Sequence, residues 1–479
     1  MSGRSGQPNL VLARCLDELG WSPKKLARKL NQVFGAGTVA ESAPFQWRDA
    51  GVLPRRSPLP TMTAYVLSEA LGRTISVDEL WQGKATDSPT LVPADDGLTG
   101  PWTPQDLTRI AKGWVLGGLV DRRRFLALSG AGLVSLVSQY LEVAGHGAFA
   151  PRLAAVSSDD PLVDQIDCQV PLLQRLDDAQ GGARHLPYVG AQFRAVALLL
   201  HEGGHSERAR TRLIQALAEI GQLVGWMAFD TSDHGLAQRY WGTALRAAHQ
   251  VNDRPLCAHI LADLAFQAAS RGHASDAVVL GETAQDVSRT ATAAVRAAVL
   301  SRLGYAYAAA GRTREFDRAR YDAREVVEQG PQHDDPRWMY FLTSSHLDCQ
   351  AGYALIELAR QQQGAKDTAA KRRLAEGASL LETGAYGVPT GHPSQRRALY
   401  EGAWLALAYA SRGHHERACE IGRLTTGRLD TVRSPRSLAV LRQLAVDLRR
   451  RRRNKHVREF LPELEDSLAR QIPTMAAPG

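Results

Sequence analysis

Four glycines, Gly204, Gly272, Gly311 and Gly413, stand in one register of small residues, and that register constrains this chain more than anything else in it. Seven residues before each lies Ala197, Ala265, Gly304 or Ala406, and four before lies Leu200, Ala268, Tyr307 or Tyr409. Five after three of them comes Ala209, Ala277 or Ala418, and twelve after three come Ala216, Ala284 and Ala323. Small residues at one point on each of two helices let the backbones approach, and a glycine between them permits the left-handed turn that reverses the chain. The pattern predicts stacked antiparallel helix pairs from about residue 165 to 470, clearest at Leu303–Gly311. Spacings between the turns are uneven, so some connections between pairs must be long. A degenerate copy at 233–248 has a shortened turn, and another at 361–364 keeps Ala369 but loses the upstream small residue.

Leu303-Gly304, then Tyr307, Gly311 and the alanine-marked helix beyond, resemble the tetratricopeptide repeat, whose first helix reads W-x₂-L-G-x₂-Y. The resemblance implies a curved solenoid whose first helices line a concave binding face. An irregular, HEAT-like α-solenoid is the alternative, and either is all helix. Tyr240, Trp241 and Tyr305 are the candidates for a ligand on that face, against the plainer reading that aromatics at helical spacing are core. A peptide, a small molecule or another protein would fit as ligand, and the same surface is open to homodimerisation.

Residues 1–83 form a separate domain. Leu10, Ala13, Leu16 and Leu19 mark a first helix ended by Gly20, and Ser22 with Pro23 opens a second. A third, Glu41–Ala50, is expected to be capped by Ser42; Leu59–Leu71 and Ser76–Trp81 complete the set. Trp21-Ser22-Pro23-Lys24-Lys25-Leu26-Ala27 is similar to the second helix of phage-repressor/Cro-type helix-turn-helix domains, and Trp47–Arg55 to the recognition helix and its exit. Ala64–Leu80 is similar to the last two helices of that fold. One departure is the connection from Gly35 to Ser42, longer than the usual tight turn, and Pro44 falls in the first turn of the third helix. A divergent helix-turn-helix followed by helical repeats resembles a group of actinobacterial regulators of development and antibiotic production, of the negative-regulator-of-differentiation type. Their WxxGxxPR segment is similar to Trp47, Gly51, Pro54 and Arg55, here with three residues between Trp47 and Gly51.

The resemblance implies a cytoplasmic regulator that binds double-stranded DNA. Gln46 would meet an adenine edge, Arg48 a guanine or a phosphate, and Ser42 would sit at the helix tip. Lys24, Lys25, Arg28, Arg55 and Arg56 would hold phosphates. The rival reading is a protein–protein adaptor whose helix-turn-helix no longer binds DNA.

Between the domains, 84–120 reads as a linker rich in Pro, Thr, Asp and Gly, and 121–164 as a connecting helix with a second linker; 471–479 reads as a tail. Asp121–Ala127 imitates a twin-arginine export signal, but such signals sit at N-termini, so a docking helix is the expectation. The chain has no run of about 18 apolar residues, so no membrane is implied. Five scattered cysteines without a C-x-x-C pair suggest buried, reduced thiols. The formal charge is +8, yet arginine far outnumbers lysine, as a GC-rich genome would give, which weakens net charge as a nucleic-acid signal.

Enzyme motifs are few. His201-Glu202-Gly203-Gly204-His205 matches the zinc-protease H-E-x-x-H, which makes a metallohydrolase a remote third reading. That motif needs one continuous helix, whereas Gly204-His205 aligns with Gly272-His273 and Gly413-His414 at the repeat turns. No catalytic residue, metal site or cofactor is expected. The arginine run 449–453 is either a solvated turn between two end helices or an auxiliary contact for phosphate or an acidic partner.

Overall fold

The computed structural model describes residues 8–34, 37–54, 59–71, 75, 77–81, 98, 101–116, 131–144, 160–180, 182–362, 368–386, 388 and 394–471. Among them there is no strand, and twenty-one α-helices follow one another. The chain divides into two compact units, Met1–Ala94 with Leu119–Arg124, and Asp95–Gly118 with Phe125–Gly479.

The first unit holds α1 (Leu10–Glu18), α2 (Pro23–Phe34), α3 (Ala43–Asp49), α4 (Leu59–Leu71) and α5 (Val77–Trp81). Apolar residues at helical spacing, Leu12 and Leu16 on α1 and Leu26 and Leu30 on α2, close over Trp47 and Leu67. Asn9 caps α1 by accepting from the Leu12 amide, and its own amide donates to the Leu80 carbonyl at 2.8 Å, tying α1 to α5. Ser22 caps α2 as expected, its Oγ accepting from the Lys25 amide. Ser42 stands at the head of α3 but makes no capping bond, because its own backbone is already helical (φ −83°, ψ −19°) and points the hydroxyl away. Pro44 fits in the first turn, where an amide would have no partner anyway.

The second unit opens with α6 (Pro104–Leu116) and α7 (Ala131–Ala144). The expected linker 84–120 is therefore a helix over part of its length. Thr103 accepts from the Asp106 amide, Pro104 takes the first helical position, and Trp114 is buried. Asp121–Ala127, with its export-like arginines, lies outside the described residues.

Seven helix pairs follow: α8 (Pro161–Gln180) and α9 (Gly182–Glu202), α10 (Glu207–Asp230) and α11 (His234–Gln250), α12 (Arg254–Ser270) and α13 (Ala274–Val287). Then come α14 (Ala293–Ala309) and α15 (Thr313–Val327), α16 (Ser344–Gln361) and α17 (Thr368–Tyr386), α18 (Gln395–Ser411) and α19 (His415–Thr426), α20 (Pro435–Arg449) and α21 (Lys455–Arg470). Each even-numbered helix from α8 to α20 packs on the next even one, forming an inner layer, while the odd helices lie outside. The inner layer curves until its ends meet: α8 touches α18, and α10 touches α20.

The turns follow the sequence register. Gly311 has φ +70°; its amide donates to the Ala308 carbonyl and the Arg312 amide to the Tyr307 carbonyl, the paired bonds that close a helix through a left-handed residue. Gly272 and Gly413 repeat that bonding. Two further turns carry it on Ser232 and Asn252, at φ 61° and 55°. At the H-E-x-x-H segment, α9 ends at Glu202 and both Gly203 and Gly204 have positive φ, so His201 and His205 do not share a helix face. His205 instead faces Asp160 at 3.4 Å. Arg449–Arg453 is the exposed turn between α20 and α21, with Asn454 capping α21.

A side chain added at Gly311 meets no atom within 4 Å, so Gly311→Ala isolates the backbone cost. It should destabilise the repeat unit by about 1–2 kcal/mol, the penalty of a left-handed L-residue, in chemical denaturation.

Candidate functional site

In the first unit, the candidate surface is set by Trp47. Its ring is buried and meets Trp81 edge-on at 6.1 Å, so the rest of α3 is fixed around it. Phe45 and Gln46 then face outward. The long connection before α3 is held by the Asn31 amide, which donates to the Val39 carbonyl at 2.8 Å and accepts from the Val39 amide at 2.9 Å. Sequence reading missed this clasp; its one signal was a polar residue in the last turn of α2, just before a glycine-bearing loop.

The cations expected to hold phosphates are already engaged with side chains of the unit. Glu41 sits beside the head of α3 and bridges Lys24 at 2.8 Å and Arg28 at 3.1 Å. Those two bonds hold its carboxyl below the usual range. Lys25 lies over the Trp21 ring at 5.4 Å. Arg48 turns to its neighbour Asp49 at 2.7 Å rather than outward. Ser42 is exposed; Arg55 and Arg56 lie outside the described residues.

In the second unit, the aromatics expected on a concave face are core. Trp241 is fully buried, with its Nε1 donating to the Gln222 carbonyl. Tyr240 stacks on Trp114 at 4.3 Å, which makes it the seat of α6 rather than a ligand contact. Tyr305 packs between Phe266 at 4.7 Å and Tyr353 at 5.6 Å. Tyr240 and Tyr305 are no more than 5% exposed, because each points between layers and not into the lumen.

The lumen itself holds a cavity of about 370 Å³. It is lined by the inner helices α8, α10, α12, α14, α16, α18 and α20, and by part of the connection between α15 and α16. That connection turns inward through a short 3-10 turn, Arg337–Met339. Arg337 bonds Glu219 on α10 at 2.9 Å and Asp167 on α8 at 2.6 Å, and the Tyr340 hydroxyl donates to the Gln174 carbonyl. Trp338, buried in this way, stacks on His259 with ring centroids 4.8 Å apart.

Four arginines reach the cavity, each with a carboxylate partner. Arg396 pairs with Asp177 at 2.9 Å and Arg397 with Glu401 at 2.5 Å. Arg302 pairs with Asp263, and Arg436 with Asp230 at 3.3 Å. Asp230 and Asp263 are fully buried and do not line the cavity, whereas all four arginines, Asp177 and Glu401 do. The lumen wall thus mixes four arginines with the carboxylates of Asp177 and Glu401, and two further carboxylates lie buried behind it. Aromatic rings hold two of the cations from the side: Arg436 lies 4.2 Å from the Tyr400 centroid and Arg302 4.8 Å from that of Trp226.

Titration follows from this field. Burial holds the His346 ring well below its ordinary value, and Arg397, Arg302 and Arg396 push it the same way. Burial holds His259 down to about 4; Asp263 opposes this and Arg302 adds to it. Burial raises the Glu401 carboxyl above the usual range despite Arg397. None of these residues stood out in the sequence, since they come from seven helices and no local motif unites them.

A scan against protein-family models finds no match, and no curated protein is significantly similar to this chain.

His259 is neutral in the fold, with its pKa depressed from 6.5 to about 4. The unfolded chain therefore binds a proton in that window that the fold does not, so the stability His259 contributes is whole above pH 6.5 and falls as pH drops toward 4. Between pH 7 and pH 5 the native chain should lose about 2 kcal/mol more stability than His259→Gln, read from urea denaturation of both.

Proposed function

We propose that this chain is a cytoplasmic DNA-binding regulator of the actinobacterial helix-turn-helix and repeat type, acting by binding and not by catalysis. The observation that carries the reading is α3: Trp47 anchors it inside, Gln46 faces out, and Lys24, Lys25 and Arg28 stand on the helix before it. The order of units, with a repeat domain after the helix-turn-helix, supports it further. On this reading the repeat unit is the interaction or sensory part, with a partner held in its lumen.

One observation favours the adaptor reading. Glu41 occupies two of the three α2 cations expected at phosphates, Lys24 and Arg28, and places a carboxylate where a phosphate would approach. Exposed pairs of this kind contribute little and exchange readily with a stronger anion, so Glu41 tempers DNA affinity without forbidding it.

Binding of the intact chain to genomic DNA fragments, followed by anisotropy across a salt series, tests the proposal. Each phosphate contact contributes a slope of about −0.9 in log affinity against log salt, so Lys25→Ala should weaken binding to all sequences and flatten the slope by about that much. Glu41→Gln should strengthen binding by releasing Lys24 and Arg28, and Gln46→Ala should blur the preference among sites. Absence of binding at low salt in both the native chain and Glu41→Gln would leave the adaptor in place of the regulator.

A further inference from the structure

The lumen cavity has the features of a receptor site, and its chemistry narrows what it can receive. Trp338 Nε1 and Gln174 Oε1 are buried without a hydrogen-bond partner, and both residues line the cavity while being less than 5% exposed. A buried donor or acceptor left unmade costs free energy, so such atoms mark where a ligand's polar groups belong. Arg436 commits only its Nε, to Asp230, which leaves both terminal nitrogens of a guanidinium already fixed over Tyr400. Arg302 commits only one terminal nitrogen, to Asp263. An ordered guanidinium with idle N–H groups suits a planar oxyanion.

Two further observations set the ligand's size and shape. The inward connection that carries Trp338 and Tyr340 is pinned to α8 and α10, so the concave groove is reduced to a cavity of about 370 Å³. That volume takes a drug-sized molecule and not an extended peptide. Trp226, Trp338, Tyr353 and Tyr400 supply aromatic surface on several sides of it.

We propose that the lumen of the repeat unit is a binding site for a small aromatic molecule bearing a carboxylate or phosphate. The oxyanion meets Arg436 and Arg302, and the ring lies among Trp226, Trp338 and Tyr400. Trp338 Nε1 donates to the ligand, and Gln174 Oε1 accepts from a hydroxyl or N–H of any ligand that carries one. The inference deepens the sensory reading of the repeat unit. Its assay contains no DNA, so failure here and failure of DNA binding are distinguished.

The test uses the full chain with naphthoate and naphthyl phosphate, and with naphthalenemethanol and naphthalenemethylamine as neutral and cationic counterparts of the same shape. Thermal unfolding and quenching of tryptophan fluorescence report binding. At least one of the two anionic probes should raise the Tm and quench fluorescence saturably, and which of them does so distinguishes carboxylate from phosphate. Arg436→Gln should weaken that probe by roughly tenfold or more, the loss of a charge-assisted bond. Should Arg436→Gln fail to fold, Trp338→Phe decides: it keeps the stack on His259, leaves the unliganded Tm near that of the native chain and weakens the same probe. Equal binding of the neutral or cationic probe, no binding of either anion, or undiminished binding by Trp338→Phe would overturn the proposal. So would an acidic peptide that binds this cavity when neither small anion does.

Discussion

Close approach of helix backbones is the constraint on which the repeat unit depends. Where α16 crosses α17, a side chain at Gly377 would come within 2.7 Å of the Gly352 carbonyl, and one at Gly352 within 3.0 Å of the Gly377 carbonyl. Only a hydrogen fits at either position, so the two helices lie nearer than larger residues would allow. Alanines take the same role elsewhere: Ala265, Ala306 and Ala406 are fully buried on inner helices. Seven pairs packed in this way stack with a bend that brings α8 to α18 and α10 to α20.

A lumen closed in this way is small, and its charges are correspondingly expensive. Burying a guanidinium without a partner is prohibitive, and the fold answers by placing a carboxylate behind or beside each one. The pairing of Arg302 with Asp263 and of Arg436 with Asp230 also joins α14 to α12 and α20 to α10. Replacing such a pair by apolar residues can stabilise a protein, so pairs of this kind are weak evidence of a stability role. Arginines whose carboxylates sit outside the cavity while their guanidinium groups line it are better understood as a surface held ready.

Much of this fold was legible in the sequence because helix turns are local. The glycine register located the turns at Gly272, Gly311 and Gly413, and the spacing of Leu10, Ala13, Leu16 and Leu19 located the first helix of the first unit. Ser232 and Asn252 adopt the same left-handed turn without glycine; the degenerate copy at 233–248 pointed to the first, and nothing in the pattern marked the second. The helix Pro104–Leu116 was hidden by a linker-like composition, although Thr103-Pro104 before Asp106 is a helix start in its own right. The cavity was not legible at all. Gln174, Arg302, Trp338 and Arg436 are scattered over 262 positions (436 − 174) and meet only because the inner layer closes. Conversely, Tyr240, Trp241 and Tyr305 are conspicuous in sequence because large aromatics at helical spacing are what a core requires.

The charge of the chain shows the same gap between composition and placement. A formal excess of +8 suggests an anionic partner, but it does not say where the excess lies. The lumen pairs contribute nothing to it, each cation being matched by an acid. On the face of α2, Glu41 lowers the local charge, and Asp49 does the same beside Arg48. Meanwhile the exposed turn 449–453 carries five arginines, with one of them, Arg449, joined to Glu465 at 2.6 Å. Net charge therefore cannot choose between a DNA contact on α3 and an anion in the lumen. The choice rests on local arrangement: a recognition-type helix whose cations are partly neutralised, and a cavity in which Arg302 and Arg436 are fixed and keep N–H groups to donate.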